Sequence, residues 1–146
     1  MDTKKLLTLA AVLMIMTPSA VTAAENLRLA PGVSYTSDVG TVFPLVGDRM
    51  TDYTIESGRP ALIFFGATGD LNTNRQAKRL VALYAKRRDN TKYIVVNVDS
   101  QDEAARELVR KYYPGYVPAQ LLLDKDGHTI WTQVGEISRK RLGGQI

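Results

Sequence analysis

The sequence predicts an α/β domain in which a mixed central sheet is flanked by helices. The apolar run at residues 61–65 and the largely apolar segment at residues 93–98 are typical of strands buried on both faces, as in a parallel sheet. Each of these predicted strands is followed by a segment with apolar residues at helical spacing. A third predicted strand, residues 118–123, precedes a short turn and a return strand, which indicates a C-terminal antiparallel hairpin. This order places helices against one sheet.

The pattern is weaker before the first buried strand. Residues 24–40 are rich in Pro, Gly, Ser and Thr and are predicted to form an extended leader. Residues 41–46 are predicted to form a short edge strand, because Pro44 cannot donate a hydrogen bond within a sheet. Residues 49–57 are predicted to form a short helix. The folded domain is therefore expected to span residues 41–146.

Capping residues mark the starts of the two central helices. Asp70 stands where an N-cap belongs, and the inward face of that helix is predicted to carry Ala77, Leu80, Val81 and Tyr84. The spacing of Ser100 and Glu103 is that of a capping box, which predicts the start of the second helix. A final short helix is predicted for residues 137–142.

Composition narrows the chemistry that this chain can perform. Its 146 residues suit one domain, and the absence of cysteine excludes disulfides, thiolate nucleophiles and cysteine-ligated metal centres. The single histidine, His128, is too little for a multi-histidine metal site, so neither a metal nor a cofactor is expected. The net charge of +4 is too small to indicate a dedicated nucleic-acid-binding protein.

The amino terminus has the pattern of a secretory signal peptide. Lys4 and Lys5 precede an apolar run that ends at Met16, and small residues at Val21 and Ala23 suit cleavage after Ala23. The run is shorter than the roughly 20 residues that a membrane-spanning helix needs. Residues 1–23 are therefore predicted to direct export to the periplasm or outside the cell. Membrane attachment is expected only if the signal segment stays uncleaved.

The order of elements, together with Val117-Pro118, the turn at residues 124–127 and Val134-Gly135, resembles the thioredoxin family over about residues 41–142. The resemblance implies a thioredoxin-like fold. It also implies that the bond between Val117 and Pro118 is cis, at the start of the strand that follows the family's third helix.

The resemblance places the redox motif Trp-Cys-Gly-Pro-Cys of that family on Gly69, Asp70, Leu71, Asn72 and Thr73. Neither cysteine is present, and glycine replaces the tryptophan. Exchange of thiols and disulfides requires a thiolate, which aspartate and threonine cannot provide. Thioredoxin-like redox activity is therefore excluded.

The buried acid that assists thiol exchange in the family corresponds to Phe64, so a further part of the redox apparatus is also missing. The hypothesis is then a redox-inactive module that binds a protein or peptide partner in the cell envelope. The binding surface is predicted to comprise Gly69, Asp70, Leu71, Asn72, Thr73, Val117 and Pro118.

A second hypothesis rests on the glycine-rich turn from Gly66 to Asp70, which lies between a strand and a helix. Such a turn resembles the nucleotide-binding turn of glucose-6-phosphate dehydrogenases, and Asp99 stands where a ribose-binding acid would. The amides at a helix start favour anions. The alternative is therefore a nucleotide- or anion-binding protein, although the chain has no room for a substrate domain.

Overall fold

The computed structural model describes residues 23–55 and 57–146. The predicted signal segment, residues 1–23, lies outside this range except for Ala23. The elements in chain order are β1 (Glu25–Leu29), β2 (Leu45–Asp48), β3 (Ala61–Gly66), α1 (Leu71–Arg87), β4 (Lys92–Asn97), α2 (Glu103–Tyr112), β5 (Ala119–Leu123), β6 (Thr129–Val134) and α3 (Arg139–Gly143). In the described ranges, no helix combines the length and apolar character needed to cross a membrane.

The central sheet has four strands in the order β4-β3-β5-β6. Strand β3 runs parallel to β4 and antiparallel to β5, and β5 and β6 form an antiparallel hairpin. All six residues of β3 are buried, as expected for a strand with a neighbour on each side and helices on both faces. The predicted fold class, including the C-terminal hairpin, is confirmed.

Alternate residues of β3 contribute to two apolar clusters. Leu62 and Phe64 pack in the cluster that includes residues of α1 and α3. Ile63 and Phe65 pack on the opposite face with residues of α2. Of the inward residues predicted for α1, Ala77, Leu80 and Tyr84 are buried and Val81 is half-buried. Because the chain has no disulfide, these two apolar layers supply its main stabilisation.

The region before β3 differs from the prediction. Strand β1 lies within the stretch that was expected to be a leader, and it pairs antiparallel with β2. Leu27 of β1 is buried in the α1 cluster, and the Asn26 N–H donates to the Tyr84 hydroxyl at 2.9 Å. The predicted edge strand at residues 41–46 is displaced to Leu45–Asp48. The core therefore extends into residues that show no strand pattern by themselves.

The helix predicted for residues 49–57 is wrong. Arg49 has a positive φ of 53°, and the Asp52 N–H donates to the Arg49 carbonyl at 3.0 Å, which closes a turn. The Asp52 carboxylate then accepts the Thr54 N–H at 3.1 Å. Short aspartate side chains compete with helical hydrogen bonding in this way, so the chain turns here instead of continuing as a helix.

Two predicted helix starts shift by one or two residues. The N-cap of α2 is Asp102, whose carboxylate accepts the Ala104 N–H at 2.8 Å, whereas Ser100 accepts the Asp102 N–H. Helix α3 starts after Ser138, whose hydroxyl accepts the Arg141 N–H at 3.3 Å. In both cases the side chain that reaches a free amide of the first turn sets the boundary.

The Tyr93 hydroxyl is buried and has no hydrogen-bond partner among the described residues. The free energy of unfolding is therefore expected to depend on pH in the alkaline range. Burial, and then the neighbouring Tyr84, raises the pKa of Tyr93 to about 12. The unfolded chain loses this proton near pH 10, so the free energy of unfolding should fall as the pH rises from 10 towards 12. We expect Tyr93→Phe to reduce this decline.

At neutral pH, Tyr93→Phe should change the free energy of unfolding by less than about 1 kcal/mol, because the lost hydroxyl makes no hydrogen bond. Urea unfolding from pH 8 to pH 11 measures both effects. The matched control is Tyr116→Phe, which removes an exposed hydroxyl. If the free energy of unfolding declined as steeply with pH in Tyr93→Phe as in the unmodified protein, the decline could not be assigned to Tyr93.

Candidate functional site

The sheet register brings the predicted site residues to one edge of the sheet. Strand β3 ends at Gly66, opposite the last residue of β4, and Phe65 pairs with Ala119 at the start of β5. Pro118 therefore lies beside the end of β3, from which the chain turns into α1. Val134, the last residue of β6, pairs with Ala119 and so belongs to the same edge.

The turn between β3 and α1 is tightly packed. A Cβ on Gly66 would lie 2.5 Å from the Thr73 methyl carbon and 2.9 Å from the Phe64 ring, so only glycine fits without movement. Gly69 has a φ of +81°, which favours glycine. The Ala67 N–H donates to the Thr73 hydroxyl at 3.2 Å. The glycines of this turn thus have a structural explanation that needs no bound phosphate.

Asp70 and Thr73 stabilise the start of α1. Asp70 is the N-cap, as predicted, and its carboxylate accepts the Thr73 N–H at 2.7 Å. Thr73 is fully buried, so its side chain is not available to a partner. Leu71 is half-buried and Asn72 is exposed. Of the five predicted positions in this turn, Leu71 and Asn72 are therefore the ones suited to contact another molecule.

A segment that precedes β2 packs on the start of α1. We call residues 34–43 the capping segment. The Asp38 carboxylate accepts the Leu71 N–H at 2.8 Å, and the Ser34 carbonyl accepts the Asn74 side-chain amide at 2.9 Å. A Cβ on Gly69 would lie 3.1 Å from the Gly40 carbonyl oxygen. The capping segment therefore covers part of the first turn of α1.

Two further contacts hold the capping segment against the second turn of α1. The Arg75 guanidinium donates to the Tyr35 carbonyl at 3.3 Å, and the Lys78 ammonium lies 5.1 Å from the centre of the Tyr35 ring. Sequence reasoning missed this segment because its partners lie 33 or more positions away. The local composition contains no signal that would have identified them.

These contacts weaken the case for the predicted anion site at the same helix start. The Leu71 and Thr73 amides, which an incoming phosphate would use, already donate to Asp38 and Asp70. A phosphate would also meet the negative charge of these two carboxylates. The geometry therefore favours a capped helix start over a nucleotide- or anion-binding turn.

The loop before β5 provides the other part of the edge. The bond between Val117 and Pro118 is cis. Pro118 is buried and its carbonyl accepts the Gly135 N–H at 2.8 Å. Within the part of the chain that the structure describes, the Val117 main chain makes no hydrogen bond. Its N–H and carbonyl are therefore not bonded to another part of the described chain.

Tyr113 lies beneath this edge and links it to α2. Its ring packs against Phe65 with the centroids 5.4 Å apart. Burial raises the pKa of Tyr113, and the carboxylates of Asp99 and then Asp70 raise it further. Asp99, the candidate ribose ligand, is thus close enough to influence Tyr113. It lies on the same edge as the turn into α1, as the topology requires.

Exposed apolar side chains gather around the same edge. Val39 and Val42 of the capping segment are 56% and 47% exposed, Tyr116 is 72% exposed and Val134 is 42% exposed. We call these four residues together with Leu71 the apolar rim. The remaining large apolar side chain that is exposed in the described ranges is Ile130, near the opposite end of β6. The rim therefore holds most of the exposed large apolar side chains found in those ranges.

His128 and the hairpin turn lie at the other end of β5. The Asp124 carboxylate accepts the N–H groups of Asp126 and His128, both at 2.9 Å. The His128 N–H is the largest influence that lowers the pKa of Asp124. The side chains of these three residues could approach one metal ion, but their hydrogen bonds already explain them as a turn cap.

Comparison with known proteins identifies the fold. No family model and no curated relative matches the sequence. Among solved structures, StoA from Bacillus subtilis superposes with a TM-score of 0.52 at 16% identity, covering 61% of this chain and 83% of StoA. Thioredoxin-2 of the malaria parasite gives 0.53 at 16% identity, covering 60% and 80%. Mitochondrial thioredoxin 3 from Saccharomyces cerevisiae gives 0.51 at 18% identity, covering 62% and 79%. The chain has a thioredoxin-like fold and contains no cysteine.

Proposed function

We propose that this chain is an exported, non-catalytic thioredoxin-fold protein that binds an extended segment of a protein partner in the cell envelope. The observation that supports the proposal best is the apolar rim around the Val117 main chain. Exposed apolar side chains that gather at one place are typical of interaction surfaces. The absence of cysteine removes thiol chemistry from the site.

The main chain and the side chains of this edge offer complementary contacts. The Val117 N–H and carbonyl make no hydrogen bond within the described chain, so they can pair with an extended peptide as an added strand would. Tyr116 precedes Val117 in the loop before β5, and Val134 ends β6 opposite Ala119; both side chains are exposed. Backbone pairing would provide affinity, and the rim would select apolar side chains of the partner.

The start of α1 has a supporting role in this proposal. Asp38 and Asp70 already bond the amides of Leu71 and Thr73, so these amides contribute no anion site. The half-buried Leu71 side chain is the apolar group of this helix start that a partner could contact. The proposed ligand is therefore an apolar peptide segment. A phosphate or a nucleotide would meet the two carboxylates here and could not use the Leu71 and Thr73 amides.

The proposal of binding at the rim is tested by site-specific photocrosslinking in the native host. A photoreactive phenylalanine analogue at position 116 should give discrete crosslinked proteins, whereas the same analogue at position 125, on the distant hairpin turn, should not. Adding Leu71→Asp should weaken the crosslinks at position 116 because it places a charge on the rim. An acid in the first turn of a helix suits the helix dipole, so folding should persist.

The matched control is Ile130→Asp, which places the same charge on an exposed apolar residue outside the rim. Circular dichroism establishes that both variants are folded. Equal crosslinking by Leu71→Asp and Ile130→Asp would contradict binding at the rim. Crosslinks that appear equally from position 125 would contradict it as well.

Export is the second part of the proposal, and it rests on residues 1–23 of the sequence. Intact-mass measurement of the protein purified from the periplasm or medium of its host should give a chain that begins at Ala24. A soluble cytoplasmic product that retains residues 1–16 would contradict export.

A further inference from the structure

The helical layer formed by α1 and α3 carries an unusual concentration of positive charge. Residues 71–88 and 136–146 contain one acidic residue, Glu136, and the following nine basic residues: Arg75, Lys78, Arg79, Lys86, Arg87, Arg88, Arg139, Lys140 and Arg141. These two segments therefore have a formal charge of +8, whereas the whole chain has +4. The rest of the chain has a formal charge of −4, so the positive charge is concentrated in these two segments.

Little of this positive charge is neutralised within the molecule. Arg79 lies 3.6 Å from Glu136, and Lys78 lies over the Tyr35 ring. For the other basic residues of this layer, the described chain contains no ion pair. On α2, by contrast, Arg110 is paired with both Glu103 and Glu107. The positive charge of the α1 and α3 layer is thus available to a partner.

Several of the positive side chains line two shallow hollows beside α1. One hollow of about 530 Å³ lies between α1 and the start of α3 and is lined by Lys78, Arg79, Ala82 and residues 136–139. A second hollow of about 310 Å³ includes Lys86, Arg87, Arg139 and Lys140. Arg139 lines both hollows, so the two lie next to each other along α1, and we treat them together as one groove.

The length of the groove suits a short stretch of extended chain. From Lys78 to Arg87, α1 rises about 14 Å, at 1.5 Å per residue. An extended peptide advances about 3.3 Å per residue, so roughly four residues would lie along this part of α1. Ala82 and Leu83 give the groove an apolar floor between basic walls. We propose that this groove, the basic groove, binds an acidic segment of a protein partner.

The shape and the apolar pattern favour a protein segment over a membrane surface. The exposed large apolar side chains of the described ranges lie outside α1 and α3, so this layer presents none that could insert into lipid. A concave groove also offers fewer simultaneous contacts to a flat surface than to a peptide. The charge of the layer requires an anionic partner in either case.

The probe for this proposal is a fluorescein-labelled ten-residue peptide of alternating glutamate and serine, which offers no apolar side chain to the apolar rim, titrated with the full chain in a fluorescence anisotropy assay. The test variant combines Lys86→Glu with Lys140→Glu, and both residues line the groove. The matched control combines Lys111→Glu with Lys125→Glu, exposed lysines outside the layer. Both variants change the net charge equally, so any difference between them reports position.

We expect the groove variant to lose at least about tenfold in affinity for the peptide and the control variant less than about twofold, because nearby charges act over roughly a Debye length. Leu71→Asp, which affects the apolar rim, should leave this binding unchanged. Failure of the basic groove and failure of the rim are thereby distinguishable. Equal losses in the two lysine variants would mean that net charge alone governs binding and would overturn the proposal.

A second experiment measures binding of the full chain to lipid vesicles by cosedimentation. Phosphatidylglycerol vesicles are anionic, and phosphatidylcholine vesicles are the neutral control. Binding to the anionic vesicles without measurable binding to the peptide would overturn the proposal in favour of a membrane surface. Absence of binding to both the peptide and the vesicles would overturn it outright. The proposal is supported by peptide binding that the groove variant loses and the control variant keeps.

Discussion

The contact between Asp38 and the first amide of α1 organises the candidate site. A helix start has four N–H groups without partners in the helix. Asp38 accepts the Leu71 N–H across 33 positions of sequence, and Asp70 accepts the Thr73 N–H within the same turn. An aspartate N-cap typically stabilises a helix by about 1 kcal/mol. Together the two carboxylates make the start of α1 a capped structural element that buries Thr73 and brings the capping segment to the edge of the sheet.

This arrangement explains how a thioredoxin-like fold is compatible with the absence of the redox motif. The resemblance assigns the two cysteine positions to Asp70 and Thr73, which here act as an N-cap and as a buried hydroxyl. A reactive group in this turn would need access to its substrate. The same residues are instead used for packing and hydrogen bonding, and the exposed apolar side chains lie around them. The turn is therefore a structural helix start, and the binding role of the surrounding surface is the proposal made above.

The central sheet and α1 were predictable because their signals are local. Runs of five and four consecutive apolar residues identify β3 and β4, and Asp70 is the N-cap that the sequence predicts. Strand β1 and the capping segment were not predictable, since Leu27, Ser34 and Asp38 are stabilised by distant partners. The predicted helix at residues 49–57 was wrong because the Asp52 side chain bonds its own turn.

The same division applies to the candidate site. Gly69, Asp70 and Pro118 could be placed from the sequence, because a resemblance in the order of elements aligns them. The exposure of Tyr116 and Val134, and the burial of Thr73, depend on packing that the sequence pattern does not show. The concentration of charge on α1 and α3 is visible in the sequence. Its arrangement around a groove required the structure, because the two helices are about 60 residues apart.

Amide hydrogen exchange on Asp38→Ala, measured by NMR, tests the capped helix start most directly. We expect faster exchange at the Leu71 amide and within residues 34–43, while the amides of β3 and β4 keep their protection. Asp89→Ala, which removes an exposed acid beyond the other end of α1, should leave the Leu71 amide unchanged. Unchanged exchange at Leu71 in Asp38→Ala would contradict the account, because it would show that the capping segment does not hold this helix start.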